Sequence, residues 1–360
     1  MVEENSQLSG APHNGEDTEV FAQETHAHDP GRETSTRPLP TSSAQEHLAQ
    51  GEAAFARSTP SRTPRSTSGN VGKPVSSRYR PRLVRRMSAA LGCGIFSAIT
   101  AFLAVFTVKG QAIDTLSMEA SMRWAEPLGS LGRTVTHIIS VPAMVIMGAL
   151  IVVIAWLRRR PTLAGRALGV VIAANTTTQV AKLLIERPDF HMSAATVNSL
   201  PSGHTTVAMS LALALVMIAP EWFRGPAAWI GYAWTSLVGI SVMVFGWHRP
   251  SDVLVAMAVS GFWALVLCPL ETRSRHGVPV QKAMVVIAIV AGIVATLGLV
   301  YSLWALTPDD LAQMGSGGIT YAEFLDALPR RAHILAGIAS FAVIAVGGLV
   351  IHEVDRLSGK

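Results

Sequence analysis

The stretch Pro201–Pro220, PSGHTTVAMSLALALVMIAP, decides how this chain reads. A short polar patch, Leu200-Pro201-Ser202-Gly203-His204, opens directly onto an apolar run of helical length. Ionisable groups are costly in hydrocarbon, so a histidine kept at the mouth of such a run is a functional candidate by default. Two further patches flank it. Lys182-Leu183-Leu184-Ile185-Glu186-Arg187-Pro188 closes the preceding apolar run, and Trp247-His248-Arg249-Pro250-Ser251-Asp252 separates the next two.

The rest of the chain supplies the setting. Of 360 residues 49% are hydrophobic and only 15% charged, with a mean hydropathy of +0.37; a soluble domain would carry about a quarter charged residues. Nearly all the polarity lies before residue 89, and the remainder falls into stretches long enough to cross a bilayer. The fold class expected is therefore all-α, a polytopic transmembrane helix bundle. Its helices are expected near 89–108, 137–157, 164–185, 203–220, 227–247, 250–270, 283–305 and 332–352.

Residues 1–85 form the first domain: a tail rich in Ser, Thr, Pro, Gly, Glu and Gln to about residue 77, expected to be disordered, then a basic stretch of Arg78, Arg80, Arg82 and Arg85 that runs on to Arg86 at the start of the next domain. The tail holds no signal-peptide core, so the first span is expected to serve as an uncleaved anchor. The formal charge of +5 reflects arginines at span ends, so the expected partners are the bilayer and a membrane lipid, and not nucleic acid. The sequence does not speak to oligomeric state. Cys93 and Cys268 lie in apolar runs and read as small fillers. There is no carboxylate cluster and no His-x-x-x-His, so neither a metal nor another cofactor is expected.

Basic residues also set the orientation. The clusters before the first span, at Arg158-Arg159-Arg160, and at Arg273, Arg275 and Lys282 fall on one side if both termini are cytoplasmic in a multi-pass cell-membrane protein. All three polar patches then lie at the extracytoplasmic ends of spans three to six.

Each patch has a chemical reading and a plainer one. Pro201-Ser202-Gly203-His204 opens a helix whose first N–H groups are unpaired and carry the positive end of the dipole. Ser202 suits the N-cap, and Gly203 lets an anion such as phosphate approach the backbone; the plainer reading is a turn with an interfacial histidine. Pro250 suits a first helical position, which puts Asp252 where its carboxylate can orient the His248 imidazole. The alternative is an aspartate that serves the helix dipole. Lys182 and Arg187 converge only if their helix ends near Glu186, as Pro188 favours; otherwise both snorkel to headgroups. Together these residues make a kit for attacking a phosphate ester.

In order and on one face, the three patches resemble the motifs of the type 2 phosphatidic acid phosphatase superfamily: Lys-x6-Arg-Pro, Pro-Ser-Gly-His, and Ser-Arg-x5-His-x3-Asp. The resemblance covers residues 89–270 and implies a phosphatase-like six-helix membrane core over 86–270, with two additional C-terminal spans in 271–360. The second motif matches in full. In the first, Arg187-Pro188 comes two positions early and Asp189 stands at the family's arginine position; in the third, Ser241 matches but Val242 replaces the arginine.

The resemblance implies His248, His204 and Asp252 as catalytic, with His248 as nucleophile through a phosphohistidine, Asp252 orienting it, and His204 as acid and then base. It implies Lys182, Arg187, Ser202 and Gly203 as phosphate-binding, and Arg249 would cover part of the role left open at Val242. The activity implied is metal-independent hydrolysis of a lipid phosphate or polyprenyl (di)phosphate at the extracytoplasmic face. The alternative is a catalytically weakened protein of the same fold that binds or transports lipid phosphates; a phosphotransferase is a third possibility.

Overall fold

The computed structural model describes residues 75–126, 141–157, 159–191, 198–269, 278–315 and 320–357. The tail through residue 74, Arg158, Arg273 and Arg275 lie outside the described residues. Among those described there are helices and no strands: α1 (Val75–Phe106), α2 (Val108–Met122), α3 (Val141–Leu157), α4 (Pro161–Leu184), α5 (Gly203–Ile218), α6 (Arg224–Val244), α7 (Pro250–Leu267), α8 (Val278–Ala305), α9 (Pro308–Gly315), α10 (Tyr321–Ala327) and α11 (Pro329–Leu357). Each expected span coincides with one of them: α1, α3 to α8, and α11.

Six of these, α1, α4, α6, α7, α8 and α11, are long and apolar enough to cross a membrane, and α3 and α5 are shorter apolar helices. The protein is an all-α, multi-pass membrane bundle. Helices α5 and α7 are the most enclosed, α7 with 67% of its apolar window buried inside the protein against 22% for α1, α4 and α8. Helix α7 packs on α1, α4, α5 and α11, and α8 pairs with α11. The main core is built from small and flexible apolar side chains such as Met209, Leu213, Val238, Val253 and Met257.

Sequence signals fix the helix ends that matter. Helix α4 stops at Leu184 with Ile185 as an extended C-cap, as Pro188 leads one to expect. Ser202 is the N-cap of α5, its hydroxyl accepting the Thr205 N–H at 3.3 Å. Pro250 opens α7 behind Arg249 as N-cap.

Polar bonds between helices then set rotation. Thr178 meets Thr206 at 2.9 Å, Trp263 Nε1 donates to Thr177 at 2.9 Å, and Asn175 Nδ2 donates to Ser210 at 3.4 Å. Such bonds specify packing where the surrounding lipid offers no hydrophobic contrast. They hold α4, α5 and α7 in one register, so their site-bearing ends meet.

At the opposite end, Arg85 grips both oxygens of Glu353 at 2.5 and 2.7 Å, tying α1 to α11. Arg86 Nη1 donates to the Cys268 carbonyl at 2.8 Å. These arginines belong to α1, which begins at Val75 rather than near residue 89 and carries the basic segment as helix, with Pro81 inside it. The segment expected to close the tail is thus part of the first helix.

The helices not anticipated from sequence are α2, α9 and α10. The chain turns between α1 and α2 at Thr107, whose extended backbone and side chain cap α2. Gly110 permits this turn, since a Cβ there would lie 1.9 Å from the Leu103 carbonyl oxygen and 2.6 Å from Thr107 Oγ1. Helix α2 then packs Ala112, Leu116 and Ala120 into a second core with Leu306, Phe324 and Leu335.

Candidate active site

The site forms where α4 ends and α5 and α7 begin. Three ladder-like backbone bonds bring the patches into contact. Ser202 N donates to the Asp252 carbonyl at 3.0 Å, which docks the start of α5 on the start of α7. Trp247 N and His248 N both donate to the Val242 carbonyl, at 2.9 and 3.1 Å, folding the His248 turn back onto the end of α6. That turn needs Gly246, whose φ of +69° is a conformation disfavoured for residues with a Cβ; an added Cβ would also lie 2.8 Å from the Met122 sulfur.

The two imidazoles lie close together, their ring centroids 6.4 Å apart and their planes inclined at 61°. Trp247 walls His204 at 5.4 Å. Asp252 is fully buried at 0% exposure. Its Oδ2 engages His248 Nδ1 at 3.2 Å and accepts from the Arg249 N–H at 3.1 Å and the Ser199 hydroxyl at 2.6 Å. With Nδ1 held by the carboxylate, Nε2 is the ring nitrogen left for chemistry.

Cations gather around this pair. Lys182 and His248 are the charged neighbours of His204. Arg187 lies beyond the end of α4, where burial and the like charge of Arg249 press its guanidinium below the ordinary value, opposed by Asp114 and Asp252. One of its terminal nitrogens, Nη2, is buried without a hydrogen-bond partner. Arg249 is 3% exposed and donates from Nη1 to Ser199 at 3.3 Å.

The structure therefore brings together Lys182, Arg187, Gly203, His204, His248, Arg249 and Asp252. A Cβ added at Gly203 would meet nothing within 4 Å, so the side of this residue that a Cβ would occupy is open. Ser202, expected among the phosphate-binding residues, is fully buried and its hydroxyl caps α5. Val242, at the third motif's departure, is 0% exposed in the main core.

Sequence reading missed several neighbours. Ser199 bridges Arg249 and Asp252. Asp114 on α2 accepts from Ser251 through both carboxylate oxygens, from N at 2.9 Å and Oγ at 2.5 Å. Gln111 Nε2 donates to the Pro188 carbonyl at 2.9 Å. Tyr321 at the start of α10 lies in the field of Arg187 and Arg249, and burial pushes its phenol up to about 12, so it stays neutral. The only sequence signal for α2 was the helical spacing of Ala112, Leu116 and Ala120. Among the described residues no group of three or more His, Cys, Asp or Glu side chains could hold a metal.

Residues 163–275 match the PAP2 superfamily. Comparison with curated proteins and with solved structures found no match. The matched segment holds all of α5, α6 and α7 and most of α4, and so carries the three polar patches together; α1, α2 and the helices after α7 lie outside it. The match over residues 163–275 supports the type 2 phosphatidic acid phosphatase superfamily for that segment, and with it phosphatase-type hydrolysis of lipid phosphates in general.

Proposed function

We propose that this protein is an integral-membrane, metal-independent phosphatase that hydrolyses a lipid phosphate or polyprenyl (di)phosphate through a phosphohistidine. One observation carries the reading: two imidazoles 6.4 Å apart, one of them held at Nδ1 by a buried carboxylate. His248 Nε2 attacks phosphorus while His204 gives a proton to the departing oxygen, so the P–O bond to the lipid breaks as a P–N bond forms. His204 then takes a proton from water, whose oxygen displaces the imidazole and releases inorganic phosphate. Asp252 is a positioning residue that fixes the His248 tautomer and stabilises its positive charge. Lys182, Arg187 and Arg249 hold the phosphoryl oxygens with the N-terminal backbone at Gly203, whose turn Ser202 keeps in shape.

An extracytoplasmic site, with both termini cytoplasmic, is supported by Arg82, Arg85, Arg86, Arg159, Arg160 and Lys282, which gather at the end of the bundle away from the histidines. The headgroup would enter from the outer leaflet while the chains stay in lipid. The domain reading that goes with this is a cytoplasmic tail to residue 85, a catalytic core over 86–270 and a two-span extension over 271–360.

A second reading, a lipid-phosphate binding or transport protein of the same fold, is favoured by the buried Val242 at the family's arginine position. Phosphate release from a panel of phosphatidic acid, phosphatidylglycerol phosphate and polyprenyl (di)phosphates separates the two. The purified full chain in detergent is expected to release phosphate from at least one, and His248→Ala to lose at least about 100-fold. Release from none, or turnover retained in His248→Ala, overturns the proposal.

A further inference from the structure

Helix α2 lies outside the segment that matches the family, yet it touches two of the three patches. Gln111 holds the Pro188 carbonyl, next to Arg187. One turn on, Asp114 is 6% exposed and takes both hydrogen bonds that Ser251 can donate, N–H to Oδ1 at 2.9 Å and hydroxyl to Oδ2 at 2.5 Å. Ser251 is the second residue of α7, between Pro250 and Asp252.

The first N–H groups of a helix have no partner within it, so each buried one needs an acceptor. At the start of α7 two carboxylates divide this work. Asp252 accepts the Arg249 N–H, and Asp114 accepts that of Ser251. Asp252 Oδ2 is already shared among Ser199, Arg249 and His248, and the His248 bond is the longest of the three at 3.2 Å. Without Asp114, Ser251 would keep two buried donors with no acceptor, and the turn would relax to relieve them. Because the Asp252 carboxylate sits in that same turn, its bond to His248 would shift with it.

We propose that Asp114 is a positioning residue: by accepting both hydrogen bonds of Ser251 it fixes the first turn of α7, and through it the Asp252 carboxylate against His248. This rests on the function proposed above. It gives a helix outside the family segment a part in the chemistry.

The test uses the full-length protein in detergent and two readouts. One is kcat and KM on a lipid phosphate that the wild type hydrolyses. The other is calorimetric binding of orthovanadate, which mimics five-coordinate phosphorus. Asp114→Ala is expected to lower kcat at least tenfold, about 1.4 kcal/mol, with KM within about threefold, and to weaken vanadate at least tenfold. Asp114→Asn keeps an oxygen to accept the Ser251 N–H, while its amide can only donate to the hydroxyl, so it is expected to recover part of both losses. A folded Asp114→Ala with wild-type kcat and vanadate affinity overturns the proposal. So does an Asp114→Asn as impaired as Asp114→Ala.

If Asp114→Ala does not fold, Ser251→Ala decides. It removes one of the two bonds and is expected to lower kcat about threefold or more; wild-type behaviour there overturns the proposal. A wild type that binds vanadate but hydrolyses nothing defeats the proposed function alone, because the vanadate affinities of the variants still judge Asp114. A wild type that neither binds nor hydrolyses defeats both.

Discussion

Replacing Arg249 by alanine probes the point where this chain departs most from the motifs it resembles. Val242 stands at the third motif's arginine position and is buried in the core, so no side chain there reaches the phosphate. Arg249 is the candidate substitute: 3% exposed, bonded through Nη1 to Ser199 and close enough to Arg187 for their charges to repel. At that burial it does not serve as a headgroup anchor. Asp114 and Asp252 offset part of this repulsion, and a doubly charged phosphate would offset more. A hydrogen bond to a charged group contributes roughly 1.5–3 kcal/mol, so Arg249→Ala should lower kcat/KM about 10- to 150-fold. The Ser199–Asp252 bond at 2.6 Å does not involve this side chain and should keep Asp252 in place. Arg249→Lys keeps the charge but not the planar fork and should fall between. The assay is initial-rate phosphate release against substrate mole fraction in mixed micelles, with thermal unfolding as the fold control. Wild-type kcat/KM in a folded Arg249→Ala would refute the reasoning and favour the binding or transport reading.

Other expectations follow from single residues. Val242→Arg should lower the unfolding temperature without rescuing Arg249→Ala, because it places a charge in a fully buried position rather than in the site; rescue of turnover would show that the side chain can reach the phosphate. Burial, with the nearby charge of Asp252, raises the Asp114 carboxyl from 3.8 to about 6, against the opposing pull of Ser251 and Arg249. The folded state thus favours its protonated form: that contribution is complete below about pH 4 and is lost as pH rises through about 6. The unfolding temperature of wild type relative to Asp114→Asn should accordingly fall between pH 4 and pH 7, and a flat difference would count against it. Gly110→Ala should cost about 2 kcal/mol or more by forcing α2 away from α1, given a Cβ 1.9 Å from Leu103 O; unchanged thermal unfolding would contradict the close approach.

The spans were legible because hydrocarbon selects for unbroken apolar runs, a signal that survives any packing arrangement. Helix ends were legible where a local rule governs them. Pro188, Ser202 and Pro250 each mark a boundary that the structure places within a few residues of itself. The meeting of His204 with His248 was expected from the resemblance of the three patches to the family motifs, together with the count of basic residues that put those patches on one face. Helix α2 was not anticipated, because Gln111, Asp114, Ser117 and Ser121 interrupt its apolar spacing. They are nevertheless buried, and the partners of Gln111 and Asp114 lie on distant segments that no local pattern reveals. Ser199 escaped for the same reason: its role exists only once Arg249 and Asp252 are beside it.

The most direct measurement is to trap the covalent intermediate. Purified protein turning over a lipid diphosphate, quenched at alkaline pH where phosphohistidine survives, is digested and the phosphorylated peptide mapped by mass spectrometry. The expected result is a phosphoryl group on His248, more abundant in His204→Ala, where the diphosphate leaving group needs little protonation but the water step has lost its base. Turnover without a phosphorylated histidine, or with the label on another residue, would contradict the assignment of His248 as the nucleophile.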